Sequence, residues 1–313
     1  MTLDYLDKWL AADAITAAQH SAISAIVRKQ RVSVFVELNA FLYLGVLAFA
    51  GGLAWTARTY SDSWGDLAVL VPTTALLVSS LFYCFSRVPL YSRAHVPAPN
   101  VVFDYVLYLA CLVFAIELGY VEYRFELLRA QRDTYLLLSS VLFFAAAYRF
   151  DNRFVLSLAI ASLGGWFGVR LSHTVFVGAA ALPTYALIYG LVVAALGVAL
   201  YRVSIKTHFL DTYVHVATNV VLGALVAGVA QGDTRVLWLA GLIGGSAASV
   251  IGGIRLRRFA FVVYGVLYGY VGVSSEWLRH VNGARSTFGY FIVSGVTVVA
   301  GLLMLARKVG RDA

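Results

Sequence analysis

From residue 32 onward, apolar runs of about 20 residues alternate with short breaks carrying Arg, Gly or Pro. A helix that crosses a bilayer needs about 20 mostly apolar residues. The rhythm therefore predicts about ten spans, at 32–56, 67–86, 101–121, 134–149, 153–170, 182–201, 209–230, 236–254, 259–275 and 287–306. The fourth and fifth are short enough to be either two helices or one long broken one. The start of the chain is patterned differently. It has no continuous apolar run, but Leu3, Leu6 and Leu10 recur at helical spacing, and Thr16 with Gln19 makes a capping box that opens a second helix. The expected organisation is a cytosolic or membrane-surface helical segment at 1–31, a transmembrane helical domain at 32–306 and a basic cytosolic tail at 307–313. The fold class is all-α, a polytopic transmembrane helical bundle.

Composition supports that class. Hydrophobic residues are 61% of the chain and charged residues 13%, against roughly a quarter charged in a soluble domain, an excess that one globular core cannot hide. Basic loops stay on the cytoplasmic side. With ten spans and the N-terminus inside, two thirds of the 24 Lys and Arg fall on inner segments, so both termini are expected in the cytoplasm. The net charge of +8 is then this bias together with attraction to anionic lipid. No run of Lys and Arg interleaved with aromatics appears, which excludes nucleic acid as a partner. Cys84 and Cys111 fall inside spans without a Cys-x-x-Cys pair and are expected to be packing residues.

An ionisable residue inside a bilayer is costly and marks a candidate site. Spans one, three and seven begin on the same side, which sets Glu37 and Asn39, Asp104 and Tyr108, and His208, Asp211 and His215 at similar depth, with Asn219 further in. A polar chamber open to the cytoplasm is the expectation these residues support. Interfacial positions that cap helices and reach headgroups are the alternative. The row from His208 to Asn219 is not read as a metal site, because His208 and His215 stand about 10 Å apart along one helix. Glu117 is expected to pair with Arg124 or meet solvent. Phe261, Tyr264 and Tyr268 form an aromatic stripe suited to packing or to a quinone or lipid-tail groove. No phosphate-binding Gly-Lys loop, Gly-x-Ser-x-Gly or His-Glu-x-x-His is present, so no catalytic residue or cofactor is assigned.

Small residues let membrane helices approach closely. Gly241, Gly245, Ser249 and Gly253 recur every fourth position, and Gly265 with Gly269 repeats the spacing in the next span. Two stretches, "RFDNRFVLSLAIASLGGWFGVRL" and "IRLRRFAFVVYGVLYGYVGVSSEW", share a basic break, an Arg-Phe start and a late aromatic-x-Gly pattern. They lie about 105 residues apart, the mark of a parallel repeat.

"LDKWLAADAITAAQ", with Trp9, Leu10, Ile15, Thr16 and Gln19, and "AAYRFDNRFVLSLAIASLGGWFG" resemble a family of bacterial polytopic membrane proteins classed as a domain of unknown function. Ala14 stands where that family often has Gly. The resemblance implies several spans in a bacterial inner membrane behind a short cytosolic opening, and brings no catalytic residues with it. Three functions stay open: a carrier or binder of a small amphiphile or ion, an accessory subunit docking partners through residues 1–31, and a membrane enzyme. Membrane lipid is the expected surroundings for all three.

Overall fold

The computed structural model describes residues 3–17, 19–20, 23–24, 35–127, 133–172, 181–231, 234–280 and 283–311, and no strand occurs among them. The chain divides into two units, one up to Gly52 and one from Leu53. In the first, helix α1 spans Leu3–Ala11. The capping box forms reciprocally: the Thr16 N–H donates to Gln19 Oε1 at 2.9 Å, and the Gln19 N–H donates to Thr16 Oγ1 at 3.3 Å. His20 Nε2 lies 2.8 Å from Asp7 Oδ1, which ties the second helix back to α1. Helix α2, Phe35–Trp64, begins in this unit, and its described apolar stretch is Leu44–Thr56.

The second unit continues with α3 (Asp66–Arg87), α4 (Val101–Phe125), α5 (Thr134–Phe150), α6 (Arg153–Ser172), α7 (Leu182–Arg202), α8 (Leu210–Gln231, led in by a 3-10 turn at Thr207–Phe209), α9 (Arg235–Arg255), α10 (Phe259–His280) and α11 (Ala284–Arg311). Eight of these helices are long and apolar enough to cross a bilayer. The exceptions are α5, whose 17 residues rise only about 25 Å, and the described stretch of α2. Helix α4 runs on past the expected span end at 121, to Phe125. Residues 128–132, with Arg129, lie outside the described residues. Residues 307–311 of the expected tail continue α11 as helix.

The stretch 134–170 is two helices. Asp151 adopts a left-handed conformation after α5, φ 57°, and Asn152 restarts the chain by accepting, at Oδ1, the N–H groups of Phe154 and Val155, each at 3.0 Å. These donors would otherwise be unsatisfied at a helix start.

The faint sequence repeat corresponds to two runs of four helices, α3–α6 and α7–α10. In each, the first two helices pack as a pair and the last two as a hairpin. The hairpin turns match. Asp151 and Arg257 are both left-handed, φ 57° and 55°. The N–H of the following residue then closes back, Asn152 to Ala147 O at 3.1 Å and Arg258 to Gly253 O at 2.8 Å. The runs differ at their first connection. A loop at 88–100 joins α3 to α4, whereas only a few residues and the 3-10 turn separate α7 from α8.

The glycine ridge packs inside the chain. A Cβ on Gly265 would lie 2.5 Å from Ser246 O, and one on Gly253 would lie 2.8 Å from Val262 N, so α9 and α10 touch backbone to backbone. Ser249 Oγ adds a hydrogen bond to Phe261 O at 2.7 Å. A Cβ on Gly269 would meet Ser246, while Gly241 and Gly245 face Leu222 and Leu225 of α8.

Candidate functional site

The ends of α3, α5, α7 and α9 and the starts of α4, α6, α8 and α10 carry Arg87, Arg149, Arg153, Arg202, Lys206, Arg255, Arg257 and Arg258. At this basic end the sequence-derived candidates separate into distinct groups. Asp104 and Tyr108 of α4 are brought together around Asn152, whose Nδ2 donates to Asp104 Oδ1 at 2.8 Å and to Tyr108 OH at 3.2 Å. The Tyr108 ring packs on Phe154, centroids 4.6 Å apart. This cluster locks the α5–α6 turn onto α4.

Asp211, near the start of α8, accepts from Arg258 Nη1 and has Arg153 Nη1 at 3.7 Å. His215, one turn on, has Nε2 3.7 Å from Asp211 Oδ1, beyond hydrogen-bond reach. Its ring stacks on Phe261, centroids 4.4 Å, and meets Tyr264 edge to face. Asn219 donates to His215 O at 2.8 Å and accepts from Tyr268 OH at 3.2 Å. The aromatic stripe of α10 therefore packs against the polar row of α8. Glu37 and Asn39 lie on α2, with side chains outside the described residues. Glu117 takes a hydrogen bond from the Thr74 hydroxyl, while Arg124 bonds Asp66 at 2.8 Å, so the expected Glu117–Arg124 pair gives way to two contacts between α3 and α4.

A cavity of about 740 Å³ opens beside Asp211. One end is polar, with Arg153, His208, Asp211 and Arg258; the other is walled by Val221, Leu222, Gly245 and Ala248. From Asp211 to Leu222 the cavity follows α8 for about 16 Å. Two guanidiniums against one carboxylate leave one surplus positive charge at the polar end. His215 and Asn219 are not among its lining residues.

Between the two helix runs lies a third group, composed of loop residues. Lys206 is left-handed, φ 46°, and its side chain is 1% exposed, as is that of Asp151. Its Nζ donates to Asp151 Oδ2 at 2.8 Å and to Ala94 O at 3.2 Å, and its own N–H donates to Arg93 O at 2.9 Å. The Val96 N–H also donates to Asp151 Oδ2, at 2.5 Å, and His208 Nε2 lies 2.5 Å from Oδ1. Burial pushes the Asp151 carboxyl upward, but the bonds from Lys206, Val96 and His208 outweigh it and hold it below the ordinary aspartate value. A search for ionisable residues inside spans passes over Asp151, Lys206 and His95, because all three lie in breaks. Of the three, only Asp151 lies in the Arg-Phe-Asp-Asn break; His95 and Lys206 come from two other breaks, and no shared motif joins them.

These features define the class as a multi-pass helical membrane protein. No family model, no curated protein and no solved structure matches the chain.

Proposed function

We propose that this protein binds or carries a small amphiphile with a single anionic head, taken into the cavity beside Asp211. The observation that carries the reading is the polarity of that cavity: Arg153 and Arg258 at one end, apolar and small side chains at the other. Such a gradient suits a charged head with an apolar tail, and ligand sites typically combine apolar walls with a few placed polar groups. Under the positive-inside bias the polar end faces the cytoplasm, and the resemblance of the opening residues supports a bacterial inner membrane. The enzyme reading has less support, since Asp211, the acid beside His215 among the described residues, stands 3.7 Å away, beyond hydrogen-bond reach. The accessory reading loses its glycine ridges, which pack within the chain, and rests on residues 1–31.

The test is native mass spectrometry of the detergent-extracted chain with a long-chain fatty acid and with the alcohol of equal length. The acid should be retained and the alcohol lost. Gly252→Leu should abolish retention without unfolding the chain, because Gly252 lines the cavity and a Cβ there has nothing within 4 Å. Equal retention of acid and alcohol, or retention unchanged in the Gly252→Leu variant, overturns the reading.

A further inference from the structure

His95, Asp151 and His208 stand in three different elements: the loop at 88–100, the α5–α6 turn and the lead-in to α8. Their ligand atoms lie within 4.8 Å of one another. The two imidazoles meet edge to face, with centroids 4.7 Å apart and planes at 82°. From this convergence we infer that the three residues form a binding site for a divalent transition metal of the zinc type.

Spacing along α8 alone gives no such site, because the ligands come from elsewhere in the chain. The loop holds His95 in place: the residues on both sides are tied to the same cluster, Ala94 through its carbonyl to Lys206 and Val96 through its N–H to Asp151. That fixes the backbone under His95 at low entropic cost. The carboxylate is divided in function. Oδ2 is taken by Lys206 and Val96, and Oδ1 is turned toward His208. A metal would take the place of the hydrogen bond between His208 Nε2 and Asp151 Oδ1, any proton held there leaving to solvent. Bonds of about 2.0–2.2 Å place neighbouring ligand atoms about 3.4 Å apart, so that pair would open while His95, exposed on its loop, closes in.

The donor set also selects the metal. Lys206 cancels the Asp151 charge, which leaves little to hold magnesium or calcium, both of which need several oxygen ligands. Two imidazoles favour zinc, cobalt, nickel or copper. Three protein ligands leave a coordination position open, as in sites that take water or a small anion. The second helix run has no counterpart of the cluster, since Arg257 stands where Asp151 stands in the first and no long loop precedes α8. This inference does not rest on the cavity reading.

The test uses the full chain carrying no polyhistidine tag, stripped with chelator in detergent and titrated with Co²⁺ followed by visible absorption, with Zn²⁺ in competition. The wild type should bind one ion per chain at micromolar concentration. His95→Ala should weaken binding by at least roughly tenfold, the lower end of what even an outer hydrogen-bonding partner of a ligand is worth. His208→Ala should do the same, while His20→Ala and His280→Ala leave binding unchanged. If His208→Ala does not fold, His95→Ala decides, because its side chain is on an exposed loop. No cobalt bound by the wild type at micromolar concentration, or binding unaltered in His95→Ala, overturns the site.

Discussion

In the first helix run the aspartate near the start of the second helix, Asp104, is bonded by Asn152, which follows the left-handed turn of the hairpin. In the second run Asp211 stands at the same place, and Arg258 follows the equivalent turn and bonds it. Four residues further along the helix come Tyr108 in one and His215 in the other, packed on Phe154 and Phe261 respectively. One framework thus carries two chemistries. The first pairs its aspartate with an uncharged amide and is sealed: Tyr108 is 5% exposed and Asn152 6%. The second is charged and half open, with Arg258 48% and Asp211 31% exposed, and a cavity lies beside it. Burial favours an amide that can satisfy a carboxylate without bringing in a second charge, whereas exposure makes a guanidinium affordable. The first turn braces the bundle, and the second leaves beside its ion pair the cavity on which the proposed binding rests.

Three changes break this contrast, and the largest effect belongs to the strap that joins the copies. Asp151 comes from the first run and Lys206 from the start of the second, and both side chains are 1% exposed. Asp151→Asn leaves a buried ammonium without its counter-charge, a loss of about 3–5 kcal/mol in such pairs. The thermal midpoint in detergent should fall steeply, and Asp151→Asn with Lys206→Met should recover much of it. The pH dependence follows from the lowered carboxyl of Asp151. Its stabilisation is complete above the ordinary aspartate value of about 3.9 and is lost as pH falls through the still lower folded value. A wild type and Asp151→Asn that respond identically to acid would remove this account.

The middle effect compares the two turns directly. Asn152→Ala removes two hydrogen bonds to Asp104 and Tyr108 and the cap on Phe154 and Val155. A lost cap costs about 1 kcal/mol and a buried acceptor left unsatisfied about 1–3 kcal/mol. Arg258→Ala, its counterpart, breaks a half-exposed ion pair worth about 0–1 kcal/mol. Denaturant unfolding of the two variants side by side should rank Asn152→Ala clearly below Arg258→Ala. Equal losses would mean that the second turn is as structural as the first.

Much of this architecture could be read from the sequence, because hydrophobic length and basic breaks report helices directly. The α5–α6 boundary was ambiguous, since both segments are apolar and only Asp151 and Asn152 part them. The polar chamber was harder. Depth along a helix is an expectation that sequence supports, but rotation about its axis is not legible, so the pattern places Asp104 and Asp211 at similar depth without any sign that one meets Asn152 and the other Arg258. The charged strap was missed for a different reason: its members lie in breaks, where charges are expected to be solvated. A signal was available in the constant offset that relates Asp104 to Asp211, Tyr108 to His215 and Phe154 to Phe261.

The smallest effect on stability should be the most informative about ligand. Asp211→Asn removes the carboxylate between Arg153 and Arg258 and raises the surplus charge at the polar end of the cavity from one to two. The exposed pairs it breaks contribute at most about 1 kcal/mol, so the thermal midpoint should barely move. The equivalent change in the first copy, Asp104→Asn, leaves the cavity untouched, since Asp104 is not among its lining residues. If the cavity takes an anionic head, Asp211→Asn should shift preference from a carboxylate head, with one negative charge, toward a phosphate monoester head, with nearly two. Competition between a fatty acid and an alkyl phosphate of equal length, read by native mass spectrometry, measures that shift. A preference that moves in Asp211→Asn and stays fixed in Asp104→Asn assigns recognition to the second copy alone. A preference fixed in both variants would mean that the arginines do not read the head, and the two copies would then differ in exposure without differing in role.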